Sequence, residues 1–260
     1  MSDDAATTDS LLGGRVRIRQ PRHGFRAAID PVLLAAAVEA RPGERALELG
    51  CGTGAALLCL AVRCSATSIL GIDSDVDLVA LARASVALNE LEHRATVEAG
   101  DVTALPGAAS PASFDHVLMN PPFHDRARSR SAAGAAREKA MGESAAAPLA
   151  RWVDAAADAL RRGGKLTLIW RADRLETAIA AIGGRLGSIA VLPLWPKAGA
   201  AAVRIIVQAR KGGRTPTRLL PGLVLHGADG RFTTHADSVL REAAALSWAD
   251  GEPILPSRAA

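Results

Sequence analysis

A chain of 260 residues, of which 49% are hydrophobic, has enough apolar material to bury a core and is expected to fold on its own. Its net charge is only +4, and its three cysteines are an odd number without the paired spacing of a zinc site, which argues against a disulfide framework and a metal centre. No apolar run approaches the length of a membrane span, and the first ten residues lack the apolar centre of a secretory signal, so a cytoplasmic protein is expected.

Residues 1–43 precede the regular part of the chain. The acidic start, poor in apolar residues, predicts a disordered tail over residues 1–12. Residues 13–43 are expected to form a strand and a helix that pack on the core, because Asp30 followed by Pro31 is typical of a helix N-cap and first helical position. Between them lies an acid-free cluster that could contact phosphates or line the solvent face of a strand: Arg15, Arg17, Arg19, Arg22 and Arg26.

Residues 44–210 alternate between short apolar runs and alanine-rich helical stretches. This alternation predicts an α/β core with a mostly parallel sheet. Gly163 and Gly164 are expected to close the third core helix. Strands are predicted over residues 45–49, 68–73, 96–98, 116–119, 165–170, 190–194 and 203–209, and helices over residues 54–63, 75–89, 147–160 and 174–182.

Residues 211–260 are expected to form a C-terminal extension on the same domain. The sequence Ala-Asp-Gly at residues 228–230 separates two short stretches and predicts a hairpin, followed by a helix over residues 236–246. A second cluster of cations that could meet phosphates comprises Arg204, Arg210, Lys211, Arg214 and Arg218.

The segment ELGCGTG at residues 48–54 follows the first core strand. Its glycines allow the backbone to turn sharply into a helix and to approach a ligand without side-chain obstruction. The arrangement predicts a nucleotide-like ligand above the sheet. The spacing differs from the dinucleotide fingerprint, in which the third glycine comes later, and resembles the first motif of Rossmann-like methyltransferases.

This resemblance implies S-adenosylmethionine as the cofactor. It implies that Glu48 orients the methionine part, that Asp73 holds the ribose hydroxyls and that Asp101 contacts the adenine. The residues alone leave two alternatives open, because Asp73 could cap a helix and Asp101 could form a simple turn. The cofactor-binding residues that the resemblance implies are Glu48, Gly50, Cys51, Gly52, Gly54, Asp73, Asp101 and Val102.

The segment NPPF at residues 120–123 follows a predicted strand and therefore lies at the carboxyl edge of the sheet. An exocyclic aromatic amine is a poor nucleophile, and the Asn120 side-chain oxygen and the Pro121 carbonyl can orient it by each accepting one N–H. Pro122 limits backbone freedom, and Phe123 offers a flat face on which an extruded base can stack. The segment predicts direct methyl transfer to nitrogen, and its alternative is a rigid turn with Phe123 in the core.

With both motifs in this order, the chain resembles the bacterial tRNA adenine-N6 methyltransferase family, which modifies the adenine beside the anticodon of a valine tRNA. The likeness includes residues 24–34 and 163–166. It implies a Rossmann-like class I methyltransferase fold, with a seven-stranded mostly parallel sheet and helices on both faces. It also implies tRNA as the substrate, for which the candidate contacts, if they do not merely face solvent, are Arg26, Arg126, Arg128 and Arg130.

Three other functions remain open at this point. A release-factor glutamine methyltransferase uses the same Asn-Pro-Pro-aromatic logic, but usually carries a helical domain in front of the core. A DNA adenine methyltransferase would need a target-recognition domain, and none is obvious. A non-catalytic RNA-binding protein would need a damaged cofactor site. The oligomeric state is open between monomer and homodimer.

Overall fold

The fold is built on a long β-sheet with helices on both of its faces. The computed structural model describes residues 6–23, 26–122 and 148–248. Its strands are β1 (Ala6–Leu11), β2 (Val16–Pro21), β3 (Arg45–Leu49), β4 (Ser68–Asp73), β5 (Ala95–Ala99), β6 (Phe114–Met119), β7 (Leu160–Arg171), β8 (Gly187–Lys197), β9 (Arg204–Arg210), β10 (Arg218–Leu219) and β11 (Leu223–His226). The α-helices of the described residues are α1 (Ile29–Ala36), α2 (Ala55–Arg63), α3 (Val76–Leu88), α4 (Leu149–Ala159), α5 (Leu175–Gly183) and α6 (Thr234–Arg241).

The strands of the main sheet follow the order β10, β8, β9, β7, β6, β3, β4 and β5, and β11 also pairs with β8. Strand β9 is antiparallel to both of its neighbours, and the other neighbouring pairs of this sheet are parallel. The expected α/β fold with a mostly parallel sheet is confirmed. Strands β10 and β11 extend the seven expected strands at β8.

Two apolar clusters cover the two faces of this sheet. Along β6, Leu118 joins the cluster that contains α1, α2, α3 and α6, whereas Val117 and Met119 join the cluster that contains α4 and α5. All three side chains are fully buried. Strands buried on both faces read as continuous apolar runs, which is why the core strands were predictable from the sequence.

The register of the parallel strands brings the sequence motifs to one edge. Leu49, the last residue of β3, lies opposite Ile72 of β4 and Met119 of β6. The ELGCGTG segment, Asp73 and the NPPF segment therefore leave the sheet at the same level. This is the carboxyl edge, where open α/β sheets bind ligands.

Residues 6–11 form strand β1, although they fall within the predicted disordered tail. They pair antiparallel with β2, whose Val16 and Ile18 are fully buried. The Arg17 backbone N–H donates to the Asn89 side-chain oxygen at 2.9 Å, and the Arg19 N–H donates to the Ser85 hydroxyl at 2.9 Å, which docks the hairpin on α3. Arg17 and Arg19 alternate with the buried residues, as the solvent-face interpretation predicted.

The predicted start of α1 at Asp30 and the predicted end of α4 at Gly163 are both wrong. The N-cap of α1 is Ala28, and Asp30 lies in the first turn, where its carboxylate accepts a hydrogen bond from Arg204 at 3.0 Å. Helix α4 gives way to β7 at Leu160, whose backbone is already extended with ψ 135°. Gly163 and the glycine after it therefore lie inside the strand instead of closing the helix.

The chain after β9 returns to the face that carries α1. The predicted turn at residues 228–230 forms, but the expected hairpin is reduced to one bridge between His226 and Phe232, because β11 pairs in parallel with β8 instead. Helix α6 begins after Thr233, whose hydroxyl accepts an N–H of the first turn at 3.1 Å, and it ends earlier than predicted.

Hydrogen bonds tie this C-terminal part to α1 and α2. The Trp248 indole donates to the Ala37 carbonyl at 2.9 Å. At the end of α2, the Arg63 guanidinium donates to the carbonyls of Val239 and Ala244, both at 2.6 Å. Burial lowers the pKa of Arg63 to about 10. The carbonyl oxygens of the C-terminal part stabilise the buried positive charge of its guanidinium.

A polar network lies at the opposite, amino edge of β3 and β6. The Asp115 carboxylate accepts the Arg45 backbone N–H at 2.9 Å and pairs with Arg161. Beside it, His116 Nε2 lies 2.8 Å from the Glu44 carboxylate. Burial alone would raise the pKa of both carboxyls. At Glu44, hydrogen bonds with the Arg41 backbone N–H and with His116 outweigh burial and hold the pKa below its ordinary value. At Asp115, the Arg45 N–H and Arg161 lower the pKa in the same way.

We expect Asp115→Asn to lower the melting temperature at neutral pH by roughly 2–4 °C, as a loss of about 1 kcal/mol would do. Because the pKa of Asp115 is depressed in the folded state, its contribution is present above the unfolded value of about 3.9 and is lost as the pH falls through the folded value. Thermal unfolding followed by circular dichroism from pH 7 to pH 3 should show the two curves converging at low pH.

Asp158→Asn is the matched control, because Asp158 pairs with Arg185 at the surface, where an ion pair contributes little. Its melting temperature should follow that of the unsubstituted protein. A gap between Asp115→Asn and the unsubstituted protein that stays constant across this pH range would contradict the charge contribution.

Candidate active site

The glycine-rich turn is held against the end of β4. The backbone N–H groups of Gly50 and Cys51 both donate to the Ile72 carbonyl, at 2.8 and 3.0 Å. A Cβ on Gly50, which has φ 67°, would lie 2.6 Å from the ring of Trp152 on α4. Gly52 has φ 53° and its missing Cβ would face open space. The turn is therefore closed on the side of α4 and open at Gly52, as a ligand cradle requires.

Glu48 lies in β3 directly before this turn and is 3% exposed. Its Oε2 has no hydrogen-bond partner within the described residues. Burial raises the pKa of Glu48 well above its usual value, although the Leu57 N–H lowers it in part. A buried carboxylate oxygen without a donor is costly, so the position suits a ligand that brings a cationic amino group.

Asp73 joins the turn to the end of β4. Its Oδ2 accepts the Gly52 N–H at 2.7 Å, and its Oδ1 accepts the Asp75 N–H at 2.9 Å. Each oxygen keeps a further lone pair for a hydroxyl donor. The N-cap of α3 is Asp75, whose Oδ1 accepts two N–H groups of the first turn. The helix-capping alternative for Asp73 is therefore wrong, and Asp75 is the residue that sequence reasoning missed.

Asp101 lies in the loop that follows β5. The Gly100 N–H donates to the Asp73 carbonyl at 2.9 Å, which keeps this loop beside the end of β4. The Asp101 Oδ1 accepts both the backbone N–H and the hydroxyl of Thr103 at 2.7 Å, and these bonds lower its pKa. Asp101 thus forms the simple turn that was the alternative to an adenine contact, although its side chain stays exposed. The neighbouring Val102 packs against the core.

Asn120 follows β6 and lies beside the glycine turn, because Met119 is paired with Leu49. The Asn120 Oδ1 is buried and has no hydrogen-bond partner within residues 6–23, 26–122 and 148–248. Pro121 is buried and Pro122 is exposed. The predicted stacking residue Phe123 lies outside the described residues, as do Arg126, Arg128 and Arg130.

Trp152 is a further residue of this site that the sequence did not reveal. Its ring packs over Gly50, and its buried Nε1 has no partner in the described part of the chain. Unpartnered buried polar atoms therefore belong to Glu48, which precedes the turn, to Trp152, whose ring contacts it, and to Asn120. The apolar face of α4 was the available signal, but it did not distinguish Trp152 from an ordinary core residue.

Arg26, a predicted RNA contact, is engaged within the N-terminal segment. Its guanidinium pairs with Asp9 and donates to the Thr7 hydroxyl at 3.0 Å and the Pro21 carbonyl at 3.1 Å. These bonds connect the ends of the β1–β2 hairpin to the chain that enters α1. A role in RNA binding remains a prediction.

The three cysteines are free thiols, and Cys51 and Cys59 are buried. Within the described residues, no group of three or more metal-ligating side chains lies close enough to hold a metal ion. No helix of the same residues is long and apolar enough to cross a membrane.

Comparisons with known proteins agree with this geometry. The profile of the family called methyltransferase small domain matches residues 28–191. A curated relative, the tRNA1(Val) (adenine(37)-N6)-methyltransferase of Porphyromonas gingivalis, is 30% identical over 178 residues, which are 65% of this chain and 68% of the relative.

Solved structures share the fold. A predicted O-methyltransferase from Agrobacterium tumefaciens has a TM-score of 0.67 and 27% identity, and the match covers 81% of this chain and 94% of that one. The T. thermophilus 16S rRNA N2 G1207 methyltransferase, solved with S-adenosylmethionine and guanosine, has a TM-score of 0.57 and 21% identity, over 79% of this chain and 50% of that one.

Because only the Gly50 Cβ would meet Trp152, we expect Gly50→Ala to lower the melting temperature more than Gly52→Ala does. Both alanines would adopt a left-handed backbone, at a cost of about 1–2 kcal/mol, and overpacking adds about 1–3 kcal/mol at Gly50 alone. Gly52→Ala should act mainly on the affinity for S-adenosylmethionine, since its Cβ would occupy the open side of the turn. Thermal unfolding and isothermal titration calorimetry measure the two effects.

Adding Trp152→Leu to Gly50→Ala removes the ring and should recover part of the lost melting temperature. Equal thermal losses for the two single alanine variants would contradict the tight contact between Gly50 and Trp152.

Proposed function

We propose that this chain, which belongs to the methyltransferase small domain family and is an S-adenosylmethionine-dependent methyltransferase, methylates the exocyclic N6 of an adenine in tRNA. The observation that carries the proposal is the buried Asn120 Oδ1, which has no partner among the described residues. An unsatisfied buried acceptor costs about 1–3 kcal/mol, and an exocyclic amine supplies the missing donor. The name of the Porphyromonas relative supports adenine N6, and the anticodon loop of a valine tRNA is the expected location.

The residues at the glycine turn fit the cofactor. The Glu48 Oε2 can accept from its amino group, and the remaining lone pairs of Asp73 can accept from its ribose hydroxyls. Gly52 leaves space beside both carboxylates, and the Asp101 loop adjoins them through Asp73. S-adenosylmethionine, when bound, supplies an electrophilic methyl group on a positively charged sulfur.

Asn120 and Pro121 would orient the acceptor. The Asn120 Oδ1 and the Pro121 carbonyl each take one N–H of the amine, which leaves the nitrogen lone pair directed away from both oxygens and toward the cofactor. The proline ring limits the backbone freedom of the Pro121 carbonyl, so little reorganisation accompanies the reaction. The rate enhancement then comes largely from holding the amine and the cofactor together in the right orientation.

The test of substrate class is transfer of labelled methyl from S-adenosylmethionine to unmodified total tRNA, with release factor and duplex DNA as parallel acceptors. Nucleoside analysis after digestion should recover the label as N6-methyladenosine from tRNA. Label on the release factor would replace the proposal with glutamine methylation, and label on the duplex would replace it with DNA methylation.

We expect Asn120→Ala to lower kcat/KM for tRNA by about 100-fold or more, as loss of a preorganised hydrogen-bonding group does. The dissociation constant for S-adenosylmethionine should stay within about twofold, because Asn120 binds the acceptor amine. Asn120→Asp keeps an acceptor oxygen and should retain more activity than the alanine variant.

Asp73→Ala should instead weaken S-adenosylmethionine binding by about tenfold or more. Its two oxygens hold Gly52 of the turn and Asp75, and the proposal gives their remaining lone pairs to the ribose. Equilibrium titration measures cofactor binding for both variants, and steady-state assays measure transfer. Equal losses of cofactor affinity in Asn120→Ala and Asp73→Ala would rule out separate roles.

A further inference from the structure

A basic groove opens at the amino edge of the sheet, on the side opposite to Asn120. It has a volume of about 480 Å³ and lies where β7 and β8 begin and β9 ends. It is lined by four cations, Arg162, Arg210, Lys211 and Arg214. Gly212 and Gly213 of the turn after β9 also line it. We call this set the amino-edge groove.

The charge of the amino-edge groove is not neutralised within the described residues. Its four cations form no ion pair there with a carboxylate. By contrast, nearby cations are neutralised by ion pairs. Arg161 pairs with Asp115, and Lys165 lies 2.8 Å from Glu39. Arg185 pairs with two aspartates of α4. The groove therefore concentrates positive charge and suits an anionic ligand.

Hydrogen bonds to backbone carbonyls fix two of these cations in place. The Arg210 Nε donates to the Gly163 carbonyl at 3.1 Å. The Lys211 ammonium donates to the carbonyls of Ala157 and Leu160 at the end of α4, at 2.6 and 2.7 Å. Both side chains are thus held by the fold before any ligand arrives, Arg210 by Gly163 of the groove itself and Lys211 by the end of α4.

The glycine turn after β9 is also preformed. Ser188 holds it, because its hydroxyl accepts the Thr215 N–H at 3.0 Å and lies 2.5 Å from where a Cβ on Gly213 would be. Within the described residues, the N–H groups of Gly212 and Arg214 take no part in the turn's hydrogen bonds. Backbone N–H groups in a glycine turn beside cations are typical of phosphate sites.

The lining favours phosphate over a nucleobase. Arginine guanidinium groups match phosphate oxygens in a bidentate geometry, and among the described residues no aromatic side chain on which a base could stack lines the groove. Phosphate contacts position a nucleic acid without reading its sequence. The surface thus fits the backbone of a polynucleotide.

We propose that the amino-edge groove binds the phosphate backbone of the RNA substrate at a distance from the methylated base. The proposal rests on the proposed function. Pairing of β6 with β7 places Lys165 four residues and Leu160 six residues before the level of Asn120. Gly163 lies between these two, about 13–20 Å from that level along the strands. An RNA that occupies both places must be long enough to bridge that distance, so a folded tRNA engages the groove and a short loop oligonucleotide does not.

The groove divides the second basic cluster that the sequence suggested. Arg204 lies at the carboxyl edge and pairs with Asp30, whereas Arg210, Lys211 and Arg214 are joined at the amino edge by Arg162. Arg162 precedes the cluster by more than forty residues in the chain. The antiparallel pairing of β7 with β9 brings it beside Arg210 and Lys211.

The test is the double variant Arg162→Ala/Arg214→Ala, which removes the two cations of the groove that make no hydrogen bond in the described residues. The control is Arg231→Ala/Arg241→Ala, which also removes two positive charges. These two arginines lie elsewhere on the surface, in ion pairs with Asp229 and Asp237. Filter binding of unmodified tRNA at several salt concentrations, and of an oligonucleotide with the anticodon loop alone, measures affinity. Transfer of labelled methyl at saturating RNA measures activity.

The groove variant should bind tRNA about tenfold more weakly than the control, and its slope of log affinity against log salt should fall by about 1.5, since each lost phosphate contact removes about 0.7–0.9. Affinity for the short oligonucleotide and for S-adenosylmethionine should match the control. The charge-reversing Arg162→Glu/Arg214→Glu should enlarge the tRNA effect at an unchanged melting temperature.

Two failures are distinguishable. If the unsubstituted protein methylates tRNA but the groove variant and its control bind tRNA with the same affinity and salt slope, the groove proposal is overturned and the proposed function stands. If the unsubstituted protein neither methylates nor binds tRNA, the proposed function is overturned and the groove's assignment to an RNA substrate falls with it.

Discussion

The Ile72 carbonyl accepts hydrogen bonds from both Gly50 and Cys51, and the rest of the site depends on this junction. It fixes where the chain leaves β3, so the Gly52 N–H meets Asp73 and the Gly50 backbone meets the Trp152 ring. Because β3 lies between β4 and β6, the same junction sets the level of Asn120 relative to the turn. One backbone carbonyl thus fixes the glycine turn at the end of β4, at the level where Asn120 leaves β6.

Some buried polar groups of the candidate site have no hydrogen-bond partner within the described residues. Glu48 and Asn120 each bury an oxygen without a donor in the described residues, although the surrounding core is closely covered by apolar side chains. Such groups lower stability, and proteins tolerate them where a ligand completes the hydrogen bonding. The stability lost at these atoms is offset by the two apolar clusters on either side of the sheet.

The sequence predicted the core strands well because buried parallel strands are continuous apolar runs. It also placed ELGCGTG and NPPF at one edge of the sheet, because both segments directly follow such strands. It failed where local pattern and long-range packing compete. Residues 6–11 are mostly polar and become a strand only through pairing with β2, which is itself docked on α3. Asp30 looks like a helix cap but pairs with Arg204, and Trp152 becomes part of the site only because α4 packs against Gly50.

The hydrogen bond from Trp248 to Ala37 spans 211 positions of the chain, and the bonds from Arg63 to the C-terminal part span nearly as many. During synthesis on the ribosome, at about 5–20 residues per second, α1 must therefore wait on the order of 10 s or longer before the segment that covers it emerges. Only the part of α1 that this segment covers stays without its partner through that interval, because α2 emerges early and packs on α1. The face of the sheet that carries α1 is thus completed last, after the strands that flank the glycine turn are already available to pair.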